Sequence, residues 1–297
     1  MARGLIASVR INVLGPIEVI AADRAIPLTG QRQRALLAAL TLELGKAVAV
    51  DRLVDFLWDT RPPPTARAKI QAHVSALRQA IGQDAGQAGG PLLTRPPGYL
   101  LRREAVDLDL AEFEALTARA GDASAAGQVA AASELFATAL ALWRGSAFAD
   151  VESLQIRSAA EKLAERRLLG LEAKADADLV LGRCDDVVAE LSPFLTAHPF
   201  RERMRAMLML ALYRLGCRAD ALALYRDGHQ LMVAELGLEP GPQLRALHQR
   251  ILADDPVLLS PGRQAAQAAW SGGGLVPQPA DGEPAPPRGA ARLARLR

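Results

Sequence analysis

A mainly α chain in two unlike parts is what the sequence predicts: a small α+β module first, then an all-helical array. Three observations lead there. Strand-like alternation is confined to roughly the first hundred residues, alanine- and leucine-rich helical periodicity runs from Asp109 to about Ala253, and composition turns to Pro, Gly and Ala beyond Asp255. With 297 residues, half of them apolar, the chain has room for two cored domains and a tail.

Charge divides along the same line. Residues 1–105 carry 14 Lys/Arg against 8 Asp/Glu, residues 106–254 carry 16 against 22, and residues 255–297 carry 5 against 3. A basic module followed by an acidic one points to two different partners, a polyanion for the first. Ordinary solvated surfaces are the plain alternative on charge alone.

Arg10 to Leu28 reads as short antiparallel strands: Ile11 and Val13 alternate with polar residues, Gly15-Pro16 turns the chain, and Ile17 and Val19 resume the alternation. From Gly30 the period changes. Leu36, Leu37, Leu40 and Leu44 share one helical face, and Gly45 closes this first helix. A second helix starts at Val50-Asp51 with Leu53, Val54, Leu57 and Trp58 inward; Arg61-Pro62-Pro63-Pro64 stops it, because prolines supply no helical donors. Thr65 is the expected N-cap of a third helix. After Ile81 a flexible Gly-rich stretch, Gly82 to Gly90, leads to two short strands, Leu92-Leu93-Thr94 and Tyr99-Leu100-Leu101, around the turn Arg95-Pro96-Pro97-Gly98. Two helices, a third basic helix and a terminal hairpin, in that order, predict a winged helix-turn-helix over residues 1–105.

The third helix shows its two faces directly. Ala66, Ile70, Val74, Leu77 and Ile81 recur at helical spacing and line the inner stripe. The centre of the opposite face falls on Thr65, Ala68, Ala72, Ser75, Ala76 and Gln79, with Lys69 and His73 on one flank and Gln71 and Arg78 on the other. A slim leading face with basic flanks suits a major groove about 12 Å wide, where Ala or Ser meets base edges and cations grip phosphates. An amphipathic helix with a solvated outer face is the bland alternative. Lys69 and Ser75 are the base-edge candidates; Arg67, Gln71, His73 and Arg78 are candidates for phosphates or groove walls. Gln31 and Arg32 at the first helix start are phosphate candidates because free backbone donors point that way, with a solvated Arg32 as the equal alternative. Arg95 reads as a minor-groove arginine or as a plain turn residue.

Residues 106–254 read as an all-α domain. Gly182-Arg183-Cys184-Asp185-Asp186 and Gly216-Cys217-Arg218-Ala219-Asp220 are offset by 34 residues, the tetratricopeptide period, and a looser copy begins at Gly127. Helices are expected around 155–181, 185–197, 201–215 and 218–236, stacked as pairs. Residues 255–297 read as a disordered Pro/Gly/Ala-rich tail.

Several classes of function drop out. Cys184 and Cys217 form no CxxC pair, which suits a reducing compartment, and His73, His198, His229 and His248 show no ligand spacing. Neither a nucleophile–base–acid set nor a phosphate loop appears, so an enzyme is not expected and no cofactor or metal is expected. No segment reaches 18 uninterrupted apolar residues, and the N-terminus lacks a signal-peptide layout, so a cytoplasmic protein without a membrane partner is expected. Trp58 and Trp143, at helical spacing with leucines, read as core residues. Arg201-Glu202-Arg203 and Arg205 read as surface ion-pairing residues, or as a dock for an acidic partner.

With these elements in place, residues 10–254 resemble the antibiotic regulatory proteins of Streptomyces and other actinobacteria, a family of pathway-specific transcriptional activators. The stretches that carry the resemblance are Gln33-Arg34-Ala35-Leu36-Leu37-Ala38-Ala39-Leu40, Leu53-Val54-Asp55-Phe56-Leu57-Trp58, His73-Val74-Ser75-Ala76-Leu77-Arg78, Pro97-Gly98-Tyr99-Leu100-Leu101, Pro199-Phe200-Arg201-Glu202-Arg203, Ala211-Leu212-Tyr213-Arg214 and Glu235-Leu236-Gly237-Leu238-Glu239-Pro240-Gly241. The resemblance implies an OmpR-like winged helix joined to a bacterial transcriptional activation domain. It implies binding to direct repeats in double-stranded DNA near a promoter, a homo-oligomer on that DNA, and recruitment of RNA polymerase through its sigma factor. Many winged helices of this type carry a basic residue at the position of Ala76, where this chain has a methyl group. Larger relatives carry a nucleotide-binding module whose GxxxxGK[ST] signature is missing here, which implies a short form without a nucleotide switch. A helical-repeat scaffold whose winged helix binds protein instead of DNA is the rival reading.

Overall fold

The structure is a computed structural model that describes residues 9–81 and 90–260. Most of the predicted Gly-rich stretch, residues 82–89, lies outside the described residues, as does the tail from residue 261. Two small sheets frame the N-terminal helices. Strands β1 (Val9–Asn12), β2 (Glu18–Ala21) and β3 (Arg24–Ile26) form an antiparallel meander, as the alternation predicts. A fourth strand, β7 (Val106–Leu108), then pairs parallel with β1, Val9 opposite Val106, to give the order β3-β2-β1-β7. The first residues assigned to the helical domain by sequence thus complete the N-terminal sheet.

Helices α1 (Gln31–Leu42), α2 (Val50–Trp58) and α3 (Ala66–Ala80) follow the predicted periodicity. Leu36, Leu40, Leu53, Leu57 and Ile70 are fully buried, with Val74 and Leu77 beside them. Trp58 is only half-buried at the core margin, while Phe56 takes the deeper place. Thr65 stands at the α3 N-cap position without a side-chain cap, because its φ of −92° and ψ of 12° depart from the extended backbone that capping residues normally adopt. The second sheet is antiparallel with the order β4-β6-β5, from β4 (Ala47–Ala49), β5 (Leu92–Arg95) and β6 (Gly98–Leu101). Gly98 is required there by space: a Cβ would sit 1.8 Å from the Val48 carbonyl oxygen.

Among the described residues seven helices follow: α4 (Asp109–Ala125), α5 (Val129–Ala141), α6 (Leu154–Leu181), α7 (Cys184–Ala197), α8 (Glu202–Arg214), α9 (Arg218–Leu236) and α10 (Pro242–Leu252). Gly127, Gly182 and Gly216, the three sequence-repeat markers, have φ of 77°, 76° and 80°. Each occupies the left-handed turn within a helix pair, where glycine carries no steric penalty. Past α10, Asp255 accepts the Val257 N–H at 3.0 Å, and Pro256–Leu259 make a 3₁₀ turn with Leu258 fully buried. Arg214 donates to the carbonyls of Leu258 and Ser260, so the expected disorder does not begin at residue 255. The apolar Leu258 anchors what composition alone reads as tail.

The cores do not follow the charge division. One runs from Val9 through the winged-helix region into Phe113, Trp143, Phe148, Ile156 and Leu163; a second runs from Leu168 to Leu258. They meet along α6, where the Arg167 guanidinium lies over the rings of Trp143 and Phe194 at 5.0 and 5.1 Å. Trp143 is buried with its ring edge-on to Phe113 at 5.4 Å, in keeping with a core role.

Polar contacts hold the helical pairs in register. Arg201 binds Glu165 and Glu172, and Arg203 binds Asp176, so these cations pair across α6 and α8. Arg205 is buried and donates to the carbonyls of Leu224 and Pro199. Lys174 donates to Asp178 and Glu190; burial works to lower its pKa, but those two carboxylates outweigh burial and hold the ammonium above its ordinary range.

Candidate nucleic-acid interface

Helix α3 presents one uninterrupted exposed face. Thr65, Arg67, Ala68, Lys69, Gln71, Ala72, Ser75, Ala76 and Gln79 are all exposed, while Ala66, Ile70, Val74 and Leu77 are buried. The 3.6-residue period produces this split, since apolar residues at every third or fourth position leave the other face to water. At its centre Ala72, Ser75 and Ala76 are short enough to let the helix axis approach another surface closely.

Around that face the charged residues differ in their ties. Arg67 pairs with Asp51 of α2 at 2.5 Å, with both side chains more than 70% exposed, so the pair is weak and easily exchanged. His73 is half-buried; burial first, then the neighbouring charges of Arg32 and Lys69, push its pKa below the ordinary imidazole range. Arg32 reaches from the start of α1 over the Trp58 ring at 5.4 Å, which fixes its guanidinium beside α3 by a cation–π contact. Arg95 is exposed at the hairpin tip.

Two predicted residues are tied to other parts of the chain. Gln31 is exposed, and its side-chain oxygen accepts the Glu152 N–H at 3.2 Å, facing the helical array. Arg78 donates through Nε to the Leu92 carbonyl at 3.0 Å and through Nη2 to Thr94 Oγ1 at 2.9 Å, linking α3 to β5. The structure therefore brings the α3 residues and Arg32 together at the exposed face, leaves Arg95 exposed in the hairpin, and ties the Gln31 side chain to Glu152.

Sequence reasoning missed the residues that tie β1, α1 and α2 to the helical array. Asp109 at the start of α4 accepts the N–H groups of Val13 and Leu14 at 2.8–2.9 Å. Asp150 accepts the Ile17 N–H at 2.8 Å and pairs with Arg34 of α1 at 2.9 Å. Ser153 donates to the Phe56 carbonyl at 2.8 Å and Arg144 donates to the Pro16 carbonyl at 3.0 Å. For Arg144, Asp150 and Ser153 the sequence signal was a break in helical periodicity from Arg144 to Ser153, where these polar residues stand among small and apolar ones.

Among the described residues no group of three or more His, Cys, Asp or Glu could hold a metal, and both cysteines are free, Cys184 buried and Cys217 exposed. No helix among those residues is long and apolar enough to cross a membrane.

Known proteins share both halves of this architecture. Residues 23–101 match the family described as transcriptional regulatory protein, C terminal, and residues 108–252 match the bacterial transcriptional activator domain. The chain is 39% identical over 259 residues to regulatory protein AfsR of Streptomyces griseus, covering 87% of this chain and 26% of AfsR, so it spans about a quarter of that relative's length. It is 34% identical over 266 residues to regulatory protein DnrI of Streptomyces peucetius, covering 88% of this chain and 98% of DnrI. The solved structure of Mycobacterium tuberculosis EmbR in complex with a low-affinity phosphopeptide superposes with a TM-score of 0.79 at 34% identity, covering 89% of this chain and 69% of that one. With both families matched in order and DnrI spanned almost end to end, the chain belongs to the Streptomyces antibiotic regulatory proteins, a family of transcriptional regulators.

Proposed function

We propose that this protein is a sequence-specific activator of secondary-metabolite, antibiotic biosynthesis genes, whose N-terminal module reads direct repeats near a promoter. The exposed α3 face carries this reading, with small residues at its centre, Lys69 and Ser75 at base-edge positions, and Arg67, Gln71, His73 and Arg32 toward the groove walls. Thr65 lies at the leading end, and Arg95 extends toward the adjacent minor groove. Residues 106–254 hold the reader in orientation and offer an acidic surface to RNA polymerase with its sigma factor, or to a neighbouring protomer on the next repeat. The protein acts in the cytoplasm and performs no catalysis.

Selection of bound duplexes from a random DNA pool, followed by salt titration of the enriched site against scrambled DNA, tests this function. Enrichment of tandem repeats about one helical turn apart, with preference surviving at physiological salt, is the expected result. Failure to enrich any motif, together with co-purification of a partner protein, supports the rival scaffold reading instead.

A further inference from the structure

We infer that Arg78 is a positioning residue for the wing, a strut that holds the β5–β6 hairpin at a fixed offset from α3, and that it is not itself a phosphate ligand. The inference rests on the DNA-reading function above and specifies how two elements of that site act together.

Among the described residues β5 stands at the end of the sheet order β4-β6-β5. Arg78 lies in the last turn of α3 and binds that strand: Nε donates to the Leu92 carbonyl at 3.0 Å, and Nη2 donates to Thr94 Oγ1 at 2.9 Å. A planar guanidinium with donors in a fixed fork makes two such bonds in one orientation, whereas a lysine ammonium at the end of a flexible stem does not. On its other side the hairpin is closed by β4, where Gly98 lies so near the Val48 carbonyl that a side chain is excluded. The wing is therefore clamped from two sides, by close backbone approach at β4 and by Arg78 at β5.

Arg95 follows Thr94 directly, at the exposed tip. Holding Thr94 sets the position from which Arg95 reaches out, and with it the offset between what α3 and the wing tip touch. With Nε and Nη2 occupied inside the protein, Arg78 loses two of the donors that a phosphate grip uses.

The test is a mutant cycle on the enriched duplex, with affinity read by fluorescence anisotropy across a salt series and folding read by thermal melting. Thr94→Val removes the hydroxyl acceptor at an exposed position and spares α3, so it provides the readout even where an Arg78 variant fails to fold. The expected result is that Thr94→Val and Arg78→Lys each weaken binding about three- to tenfold in the wild-type background. In an Arg95→Ala background both changes should have less than about a twofold effect, because the wing contact they position is already gone. A phosphate ligand behaves otherwise: Arg78→Lys retains most affinity, and Arg78→Ala lowers the salt slope by about 0.9 even when Arg95 is Ala. That pattern, or an unaltered affinity in Thr94→Val, overturns the inference while leaving the DNA-reading function intact. If the unaltered protein selects no duplex, both fall together.

Discussion

Asp109 holds Val13 by the backbone: both carboxylate oxygens lie 2.8 Å from the Val13 N–H, and one of them also takes the Leu14 N–H at 2.9 Å. The carboxylate is buried, its residue 6% exposed, and it joins the start of α4 to the turn after β1. Two amides that no strand partner reaches are satisfied from 95 and 96 residues away. Asp109→Ala leaves those donors buried and unpaired, at a cost of roughly 1–3 kcal/mol. Urea unfolding should show a lower midpoint with an unchanged m-value; an unshifted midpoint would mean that water replaces the carboxylate at no cost.

Two glycine substitutions should move stability in opposite directions. Gly98→Ala drives a methyl group against the Val48 carbonyl, 1.8 Å away, and should destabilise by about 1–3 kcal/mol or more. Gly121→Ala lies inside α4 with nothing within 4 Å of the new Cβ, and should stabilise by about 0.4–1 kcal/mol. Differential melting temperatures of the two variants decide the matter, and equal shifts of one sign would contradict the packing described for β4 and β6.

His73 should make DNA binding pH-dependent. In the free protein burial, Arg32 and Lys69 hold its pKa below the ordinary value, so it is neutral at pH 7. A phosphate brought alongside favours the imidazolium and raises that pKa, so complex formation takes up a proton and affinity should rise as pH falls from about 7.5 to 6. The free fold responds with the opposite sign: its stability decreases on acidification below the unfolded-state pKa of about 6.5, because the unfolded chain binds the proton more readily. His73→Gln should flatten the affinity profile, and an identical profile in that variant would remove His73 from the interface.

Lys69→Ala should separate base reading from phosphate gripping. Loss at a base edge lowers affinity for the cognate site by about 1–3 kcal/mol and relaxes preference at one position, with scrambled DNA bound almost as before. A phosphate contact instead weakens all sequences together and reduces the salt slope by about 0.9. Titration of the variant against both duplexes distinguishes the two, and no loss on either would place Lys69 outside the interface.

Much of the helical framework was legible because long helices repeat their pattern many times. The bounds of α6, α7, α8 and α9 fall within about one residue of those expected from leucine periodicity and the glycine markers. Short strands were harder. β4 is only Ala47-Val48-Ala49, too brief for alternation to register, and exists through pairing with β6. β7 is three residues long and pairs with β1 across some 97 positions of sequence, a relationship that no local window contains. At the candidate interface, residue type and helical face could be read in advance, but partners could not. Arg78 looks like any groove-facing cation until β5 is folded against it, and the tie between the Gln31 side chain and Glu152 exists only once the loop after α5 is in place.

The 28 residues of α6 extend through the two larger apolar cores, which at 1.5 Å per residue makes an axle about 42 Å long. Its first turns belong to the core shared with α1 and α2, and its last turns to the core shared with α7 and α8. With no loop along that length, one unbroken helix serves as a wall of both cores, and the placing of α7 and α8 relative to α1 and α2 is written into a single backbone segment.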